Sequence, residues 1–162
     1  MSTPRAPLKL METRVEESFL DYNGHMNDAA YAGVFSRSVD AFTEQMGLDE
    51  AGRATTGRTI YTLAVMIHYL REAKRGEPLI VYGQLLEQDE KRYRLWMEMR
   101  SATDALLAAS EHLIVCVDQS GAAPRIAPFP PPVLARIEAT ARAHAGLPVD
   151  ERAGRGVSLR RR

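Results

Sequence analysis

The stretch Asp21-Tyr22-Asn23-Gly24-His25-Met26-Asn27 and the apolar series that follows it decide the fold of this chain. After the polar stretch, apolar residues recur at three- and four-residue steps, which is the spacing of one helix face. They are Tyr31, Val34, Phe35, Val39, Phe42 and Met46. Asn27 and Asp28 are favourable N-cap residues, and Gly47 is a natural C-terminal stop. The pattern predicts one long helix from about residue 27 to residue 46.

Downstream of this helix the apolar pattern changes to that of strands. Segment 60–70 is rich in β-branched and aromatic residues at both parities, which predicts a strand covered on both faces. Segment 93–100 alternates between apolar and polar residues, which predicts one buried face. Other predicted strands lie at 8–15, 79–86 and 106–118. Segment 51–58 is predicted to be an irregular connection.

The element order predicts an α+β fold in which an antiparallel sheet wraps around one long central helix. Short turns make neighbouring strands antiparallel, and a lone helix beside such strands buries its apolar face only by lying across the sheet. This domain is expected to span residues 8–120. A Pro-rich segment with a short helix follows at 128–146, and residues 147–162 are expected to form a flexible, Arg-rich tail.

Composition excludes several classes of function. The 162 residues contain 21 basic and 21 acidic side chains, so the chain lacks the positive charge typical of proteins that bind nucleic acid. No run of about 18 apolar residues is present, so no membrane span is predicted, and a cytoplasmic protein is expected. The single cysteine and four scattered histidines do not predict a metal site. No motif for a bound cofactor is found.

The polar stretch before the helix is the main candidate for chemistry. Unpaired backbone N–H groups and the helix dipole favour negative charge there, as an acyl-transfer site requires. Asp21 can act as a base or nucleophile, while Asn23 and His25 can orient water or substrate. The alternative is that these residues only form a turn and cap the helix. A second polar pair, Glu111 and His112, lies in the last predicted strand.

The pattern Asp21-x-x-Gly24, with Tyr31 further along, resembles the 4-hydroxybenzoyl-CoA thioesterase family of hot-dog proteins. The resemblance implies that Asp21 is the nucleophile or base. It also implies that a backbone N–H in the first helical turn, at Asp28, polarises the thioester carbonyl. The fuller string from Asp21 to Asn27 is similar to the D-x-N-x-H-V-N-N segment of plant acyl-carrier-protein thioesterases, in which the Asp, Asn and His positions are catalytic.

A broader likeness covers residues 11–118 and points to bacterial betainyl-CoA thioesterases of carnitine breakdown. It rests on the stretch 21–31 and on weaker blocks at 59–62, 68–72 and 89–92, which occur in the same order. Two departures limit the transfer of mechanism. Asn23 and His25 replace mostly non-polar positions of the hydroxybenzoyl type. The chain also holds one hot-dog unit where the plant enzymes hold two, so a second copy would complete the site.

The expected function is hydrolysis of a small acyl-CoA, with betainyl-CoA as a candidate, to free acid and CoA. The residues expected to be catalytic are Asp21, Asn23, His25 and Asp28. Those expected to bind substrate are Gly24, Asn27 and Tyr31. Aromatic faces bind trimethylammonium groups, so five aromatic residues are candidate walls for a betainyl group. They are Tyr61, Tyr69, Tyr82, Tyr93 and Trp96.

Two other functions remain open on the sequence. One is a hot-dog enoyl-CoA hydratase, which resembles D-x-N-P-x-H; here His25 follows Asp21 by four residues rather than five, and Gly24 replaces the proline. The other is a non-catalytic acyl-CoA binding protein, in which the loop only caps the helix. Either way, an open sheet edge favours pairing with another copy. A homodimer or homotetramer with interface active sites is expected.

Overall fold

The computed structural model of the protein describes residues 6–159. One long helix, two shorter helices and six strands follow one another along these residues. In chain order they are β1 (Leu8–Arg14), α1 (Asp28–Gln45), α2 (Glu50–Thr56), β2 (Arg58–Tyr69), β3 (Pro78–Gln88), β4 (Arg92–Ser101), β5 (Leu106–Asp118), β6 (Arg125–Ile126) and α3 (Pro131–His144).

The strands form one antiparallel sheet in the order β1-β3-β4-β5-β2, and β6 pairs with the end of β5. The sheet curls around α1, which buries its apolar stripe against the concave face, called the inner face below. The predicted α+β arrangement is therefore confirmed. Burial of each large apolar side chain in this core contributes about 1.5–3 kcal/mol relative to exposure.

Helix α1 begins and ends where its sequence predicts. Asn27 is the N-cap, and its side-chain oxygen accepts a hydrogen bond from the Ala29 N–H at 2.8 Å. At the other end, Gly47 adopts a φ of 99°, a conformation that residues with a Cβ rarely adopt. Near this end, the hydroxyl of Thr43 lies 2.7 Å from the hydroxyl of Tyr93, so the buried phenol of β4 has a partner. Burial raises the pKa of Tyr93.

Two predictions about the middle of the chain are wrong. Residues 50–56 form helix α2 rather than an irregular connection, because Asp49 caps its start and Gly57 ends it at a φ of 66°. Strand β2 is not covered on both faces, since it is the outermost strand of the sheet and much of it is exposed. Leu63 and Val65 are 52% and 47% exposed.

Helix α3 packs against β3 and the end of α1, where Val133 and Ile137 join the core. Among residues 6–159, strand β1 pairs with β3 only up to Gly83, so the next edge amides of β3 have no strand partner in that part of the chain. His144, in the last turn of α3, fills this position: its Nδ1 accepts a hydrogen bond from the Leu85 N–H at 2.9 Å. Between residues 6 and 159, no helix is long and apolar enough to cross a membrane.

The segment expected to be a flexible tail makes specific contacts with the convex, outer face of the sheet. The Gly154 N–H donates to the Glu111 carboxylate at 2.6 Å, and Arg152 is hydrogen bonded to Asp150. Glu111 pairs across strands with Trp96, which is 2% exposed although it faces away from the core. The bond from Gly154 therefore holds the segment next to Trp96, on its cross-strand neighbour Glu111.

Removing this segment should expose Trp96 to water. A chain that ends after Leu147 is expected to show red-shifted tryptophan emission, because the chain has only one tryptophan, which is 2% exposed, and this segment is bound to its cross-strand neighbour Glu111. A chain that ends after Leu159 keeps the contacts and serves as the control. Identical emission spectra from the two chains would contradict the packing described here.

Candidate functional site

A tight loop carries the chain from the end of a 3-10 turn (Glu17–Phe19) into α1. The Asp21 N–H donates to the His25 carbonyl at 2.8 Å, and the Gly24 N–H donates to the Asp21 carbonyl at 3.0 Å. Gly24 has a φ of 75°, and a Cβ there would meet no atom within 4 Å. Glycine is therefore required by the backbone turn and not by crowding.

The Asp21 carboxylate helps to hold this loop in shape. Its Oδ1 accepts hydrogen bonds from the N–H groups of Asn23 at 2.8 Å and His25 at 3.2 Å. Its Oδ2 accepts none from the residues that the structure describes. Asp21 therefore has the structural role that the sequence suggested, but only through Oδ1. Oδ2 remains available for chemistry.

The start of α1 presents polar groups next to this loop. The Ala29 N–H is shared between the side-chain oxygens of Asn27, at 2.8 Å, and Asp28, at 2.9 Å. The N–H of Asp28, the first residue of the helix, has no partner within the helix, as expected at a helix N-terminus. The backbone here therefore has a donor available for an external oxygen.

His25 connects the loop to the segment that follows β2. Its Nε2 lies 3.4 Å from the Glu72 carboxylate, and its backbone bridges to Lys74. The side chains of His25 and Glu72 are 37% and 68% exposed, so solvent weakens this pair. One residue later, the Met26 N–H donates to the Ala73 carbonyl at 2.9 Å. These contacts with segment 71–74 stabilise the loop.

A cavity of about 250 Å³ opens between the start of α1 and the end of β2. The rings of Tyr31 and Tyr69 meet edge to face there, with centroids 5.4 Å apart and planes at 89°. The Tyr31 hydroxyl accepts from the Ala73 N–H at 2.9 Å and donates to the Arg71 carbonyl at 3.2 Å. Other residues that line the cavity are Met26, Asp28 and Glu72.

Both tyrosines of the cavity stay neutral near pH 7. Burial raises the pKa of Tyr31, and burial together with the Asp28 carboxylate raises that of Tyr69. The Tyr69 hydroxyl donates to the Asp28 carbonyl at 3.3 Å, so its ring is tied to the first residue of α1. The cavity wall is therefore fixed relative to the helix N-terminus.

The structure brings some of the predicted site residues together and separates others. Asp28 and Tyr31 line the cavity, and His25 reaches its rim through Glu72. Asp21 and Asn23 lie in the adjoining loop and do not line this cavity, and the Asn23 side chain is exposed. Sequence reasoning missed Glu72, although the polar residues directly after β2 signalled a turn beside the helix start.

The positions of the five candidate aromatic residues show which of them line the cavity. Only Tyr69 lines the cavity. Tyr93 and Trp96 are buried in packing elsewhere, and Tyr61 and Tyr82 pair across strands with outer-face residues. The other four candidates do not line this cavity, because their positions in the strands place their rings on other surfaces or elsewhere in the core.

Glu111 and His112 do not form a joint site. Glu111 points to the outer face, where Arg94 binds it at 3.2 Å. His112 points to the inner face and is 3% exposed. Neither of its ring nitrogens has a hydrogen-bond partner within residues 6–159. Burial lowers the pKa of His112 to about 4, so the ring is neutral at pH 7. No group of three or more potential metal ligands occurs in the same residues.

Comparison with known proteins agrees with this geometry. Residues 15–137 match the family described as the thioesterase-like superfamily. The chain belongs to this superfamily. The thioesterase is 40% identical to the betainyl-CoA thioesterase of Pseudomonas aeruginosa, over 94% of this chain and 95% of that protein. It is therefore a thioester hydrolase.

Two solved structures place the thioesterase in the hot-dog fold. A putative thioesterase from Pseudomonas putida KT2440 has a TM-score of 0.81 at 32% identity, over 96% of this chain and 99% of that one. A Staphylococcus aureus protein solved in complex with CoA has a TM-score of 0.87, over 95% and 97% of the two chains; at 24% identity it supports the fold alone. The predicted hot-dog fold is confirmed, and the family favours hydrolysis over hydration.

The buried His112 should make the stability of the thioesterase depend on pH. Its pKa is about 4 in the folded chain and 6.5 when unperturbed, so between these values the unfolded chain binds a proton that the folded chain does not. Stability is then lost as the pH falls from 6.5 towards 4, by up to about 1.4 kcal/mol per pH unit.

Urea unfolding at a series of pH values between 4 and 7.5 would measure this loss. His112→Leu removes one titrating group and should make the dependence of the unfolding free energy on pH less steep in that window. His68 and His144, whose pKa values burial also lowers, should retain part of the dependence. Parallel curves for wild type and variant would show that His112 is not the source.

Proposed function

We propose that the thioesterase hydrolyses a small acyl-CoA, betainyl-CoA being the preferred candidate, in the cytoplasm, and that Asp21 is its base or nucleophile. The observation that carries this proposal is that, among the residues that the structure describes, neither Asp21 Oδ2 nor the N–H of Asp28, the first residue of α1, has a hydrogen-bond partner, although the loop of Asp21 leads directly into that helix. The betainyl group is supported by the relative in Pseudomonas aeruginosa, whose name specifies that acyl group.

In the proposed mechanism, the thioester oxygen lies at the start of α1 and accepts a hydrogen bond from the Asp28 N–H. This donor and the helix dipole stabilise the negative charge that develops on the oxygen. Asp21 either attacks the carbonyl carbon, forming a mixed anhydride that water then hydrolyses, or removes a proton from the attacking water. In both cases the CoA thiolate leaves and the free acid is released. Asn23 and His25 orient the water or the substrate.

The other proposed binding residues have supporting roles. Asn27 holds the first turn of α1 in place through its cap. Tyr31 fixes segment 71–73 through its hydroxyl and offers its ring to the cavity. Gly24 has open space where a side chain would stand, so substrate can approach the loop backbone closely.

Replacement of Asp21 by asparagine is the sharpest test. Asn keeps an oxygen that can accept the loop hydrogen bonds from residues 23 and 25 but removes the charge, so the fold should persist. The loss of a positioned base is expected to lower kcat by about 10²- to 10⁴-fold. Release of free thiol from acyl-CoA substrates would measure it.

Asp49→Asn is the matched control, because Asp49 also accepts a hydrogen bond from a backbone N–H, at 2.8 Å, but caps α2 away from the site. This variant should retain wild-type turnover. If Asp21→Asn turns over acyl-CoA at the wild-type rate with unchanged thermal stability, Asp21 serves only as a loop cap and the proposed mechanism is wrong.

We also propose that two copies pair through β2. This strand is the outermost strand of the sheet, so one of its edges carries unpaired backbone groups. It also exposes large apolar side chains, among them Leu63 and Val65. Such an edge is a template for pairing with a second copy. Because Tyr69, at the end of β2, lines the cavity, the second copy would lie beside the site.

Val65→Lys should disrupt this pairing by placing a charge in the interface. Sedimentation is expected to show twice the 18.0 kDa chain mass for wild type and the single mass for the variant. Ile126→Lys, at an exposed apolar residue of β6 away from the β2 edge, should sediment as wild type does. A wild-type monomer at micromolar concentration would refute the dimer.

A further inference from the structure

The cavity at the start of α1 combines aromatic faces with negative charge. The perpendicular rings of Tyr31 and Tyr69 form one wall, and the carboxylates of Asp28 and Glu72 stand at its rim. Arg71 also lines the cavity, but its carbonyl is held by the Tyr31 hydroxyl and its side chain is exposed. A long arginine side chain can keep its charged end in solvent.

This combination is unusual for the place where it occurs. The N-terminus of a helix carries partial positive charge and by itself repels cations. Here two carboxylates counter that charge. Asp28 is the first residue of the helix, and Glu72 lies on the facing segment. Quaternary ammonium groups have no N–H to donate, so proteins bind them through aromatic faces and nearby negative charge. The cavity offers both.

The chemistry of the proposed substrate requires a cation site in this position. In a betainyl thioester a single methylene separates the quaternary nitrogen from the carbonyl carbon. Standard bond lengths then keep the nitrogen within about 4 Å of the carbonyl oxygen. If that oxygen accepts from the Asp28 N–H, the cation must lie against the same first turn of α1. The cavity that Asp28 lines meets this condition.

We infer that Tyr69, with the carboxylates of Asp28 and Glu72, binds a quaternary ammonium centre in the acyl group and thereby selects cationic over neutral acyl-CoA. The inference rests on the proposed function and specifies its substrate class. Tyr69 supplies the more accessible ring, since it is 52% exposed whereas Tyr31 is 4% exposed. The bond from Tyr69 to the Asp28 carbonyl sets the distance between the cation site and the carbonyl site.

The test compares betainyl-CoA with 3,3-dimethylbutanoyl-CoA, in which carbon replaces the nitrogen and the shape is preserved. The readout is the ratio of kcat/KM for the two substrates, each corrected for its uncatalysed hydrolysis rate. Wild type is expected to prefer the cation. Tyr69→Leu and Glu72→Gln should each lower the ratio by roughly 2- to 30-fold, the range expected for a cation–aromatic contact.

Two control variants separate the aromatic face from other effects. Tyr69→Phe keeps the ring and should keep most of the preference. Tyr61→Leu removes a half-exposed tyrosine from the same strand, on the outer face, and should leave the ratio unchanged. Tetramethylammonium is expected to inhibit wild-type turnover of the neutral substrate competitively, and Glu72→Gln should weaken that inhibition. This measurement does not require the Tyr69→Leu chain to fold.

The outcomes separate this inference from the proposed function. If wild type cleaves both substrates with a corrected ratio near one and tetramethylammonium does not inhibit, the cation site is refuted while hydrolysis stands. The same holds if the ratio is unchanged in Tyr69→Leu and Glu72→Gln. If wild type releases no thiol from either substrate, the choice of a small acyl-CoA substrate fails as well.

Discussion

The apolar stripe of α1 can be buried only if the sheet curls around it, and this constraint organises the rest of the protein. With Val34, Phe35 and Phe42 facing the sheet, the polar start of the helix is left at the rim of the curl. The Asp28 N–H, which has no hydrogen-bond partner among the described residues, therefore lies beside the cavity that Asp28 lines. The same packing that stabilises the fold thus leaves one backbone donor free at the start of the helix.

The loop before α1 shows how one carboxylate can serve structure and chemistry together. Asp21 Oδ1 accepts two loop amides, which fixes the side chain without consuming both oxygens. Capping and catalysis were competing interpretations of the sequence, yet the geometry is compatible with both at once. A carboxylate held in this way needs little reorganisation before it reacts, which is the general advantage of a preorganised site.

The cavity has a local concentration of acidic residues that the net charge of the chain does not reveal. The chain carries no formal net charge, yet the helix start brings together Asp28, Glu72 and two tyrosine rings. By contrast, Glu111 and His112 of β5 lie apart from this site. Glu111 anchors the C-terminal segment on the outer face, and His112 sits neutral in the inner layer.

The sequence alone was enough to predict α1, five of the six strands and the loop of Asp21, because helix period, strand alternation and capping residues are local signals. The family was indicated by the resemblance of residues 21–31 to known thioesterases. The sequence did not predict α2, the exposure of β2 or the contacts of residues 150–154, which depend on strand order and on what covers each surface. The meeting of Tyr69 and Glu72 with Asp28 was also decided only by the tertiary structure. These residues lie about forty positions apart, and only the curl of the sheet around α1 brings the end of β2 to the start of the helix.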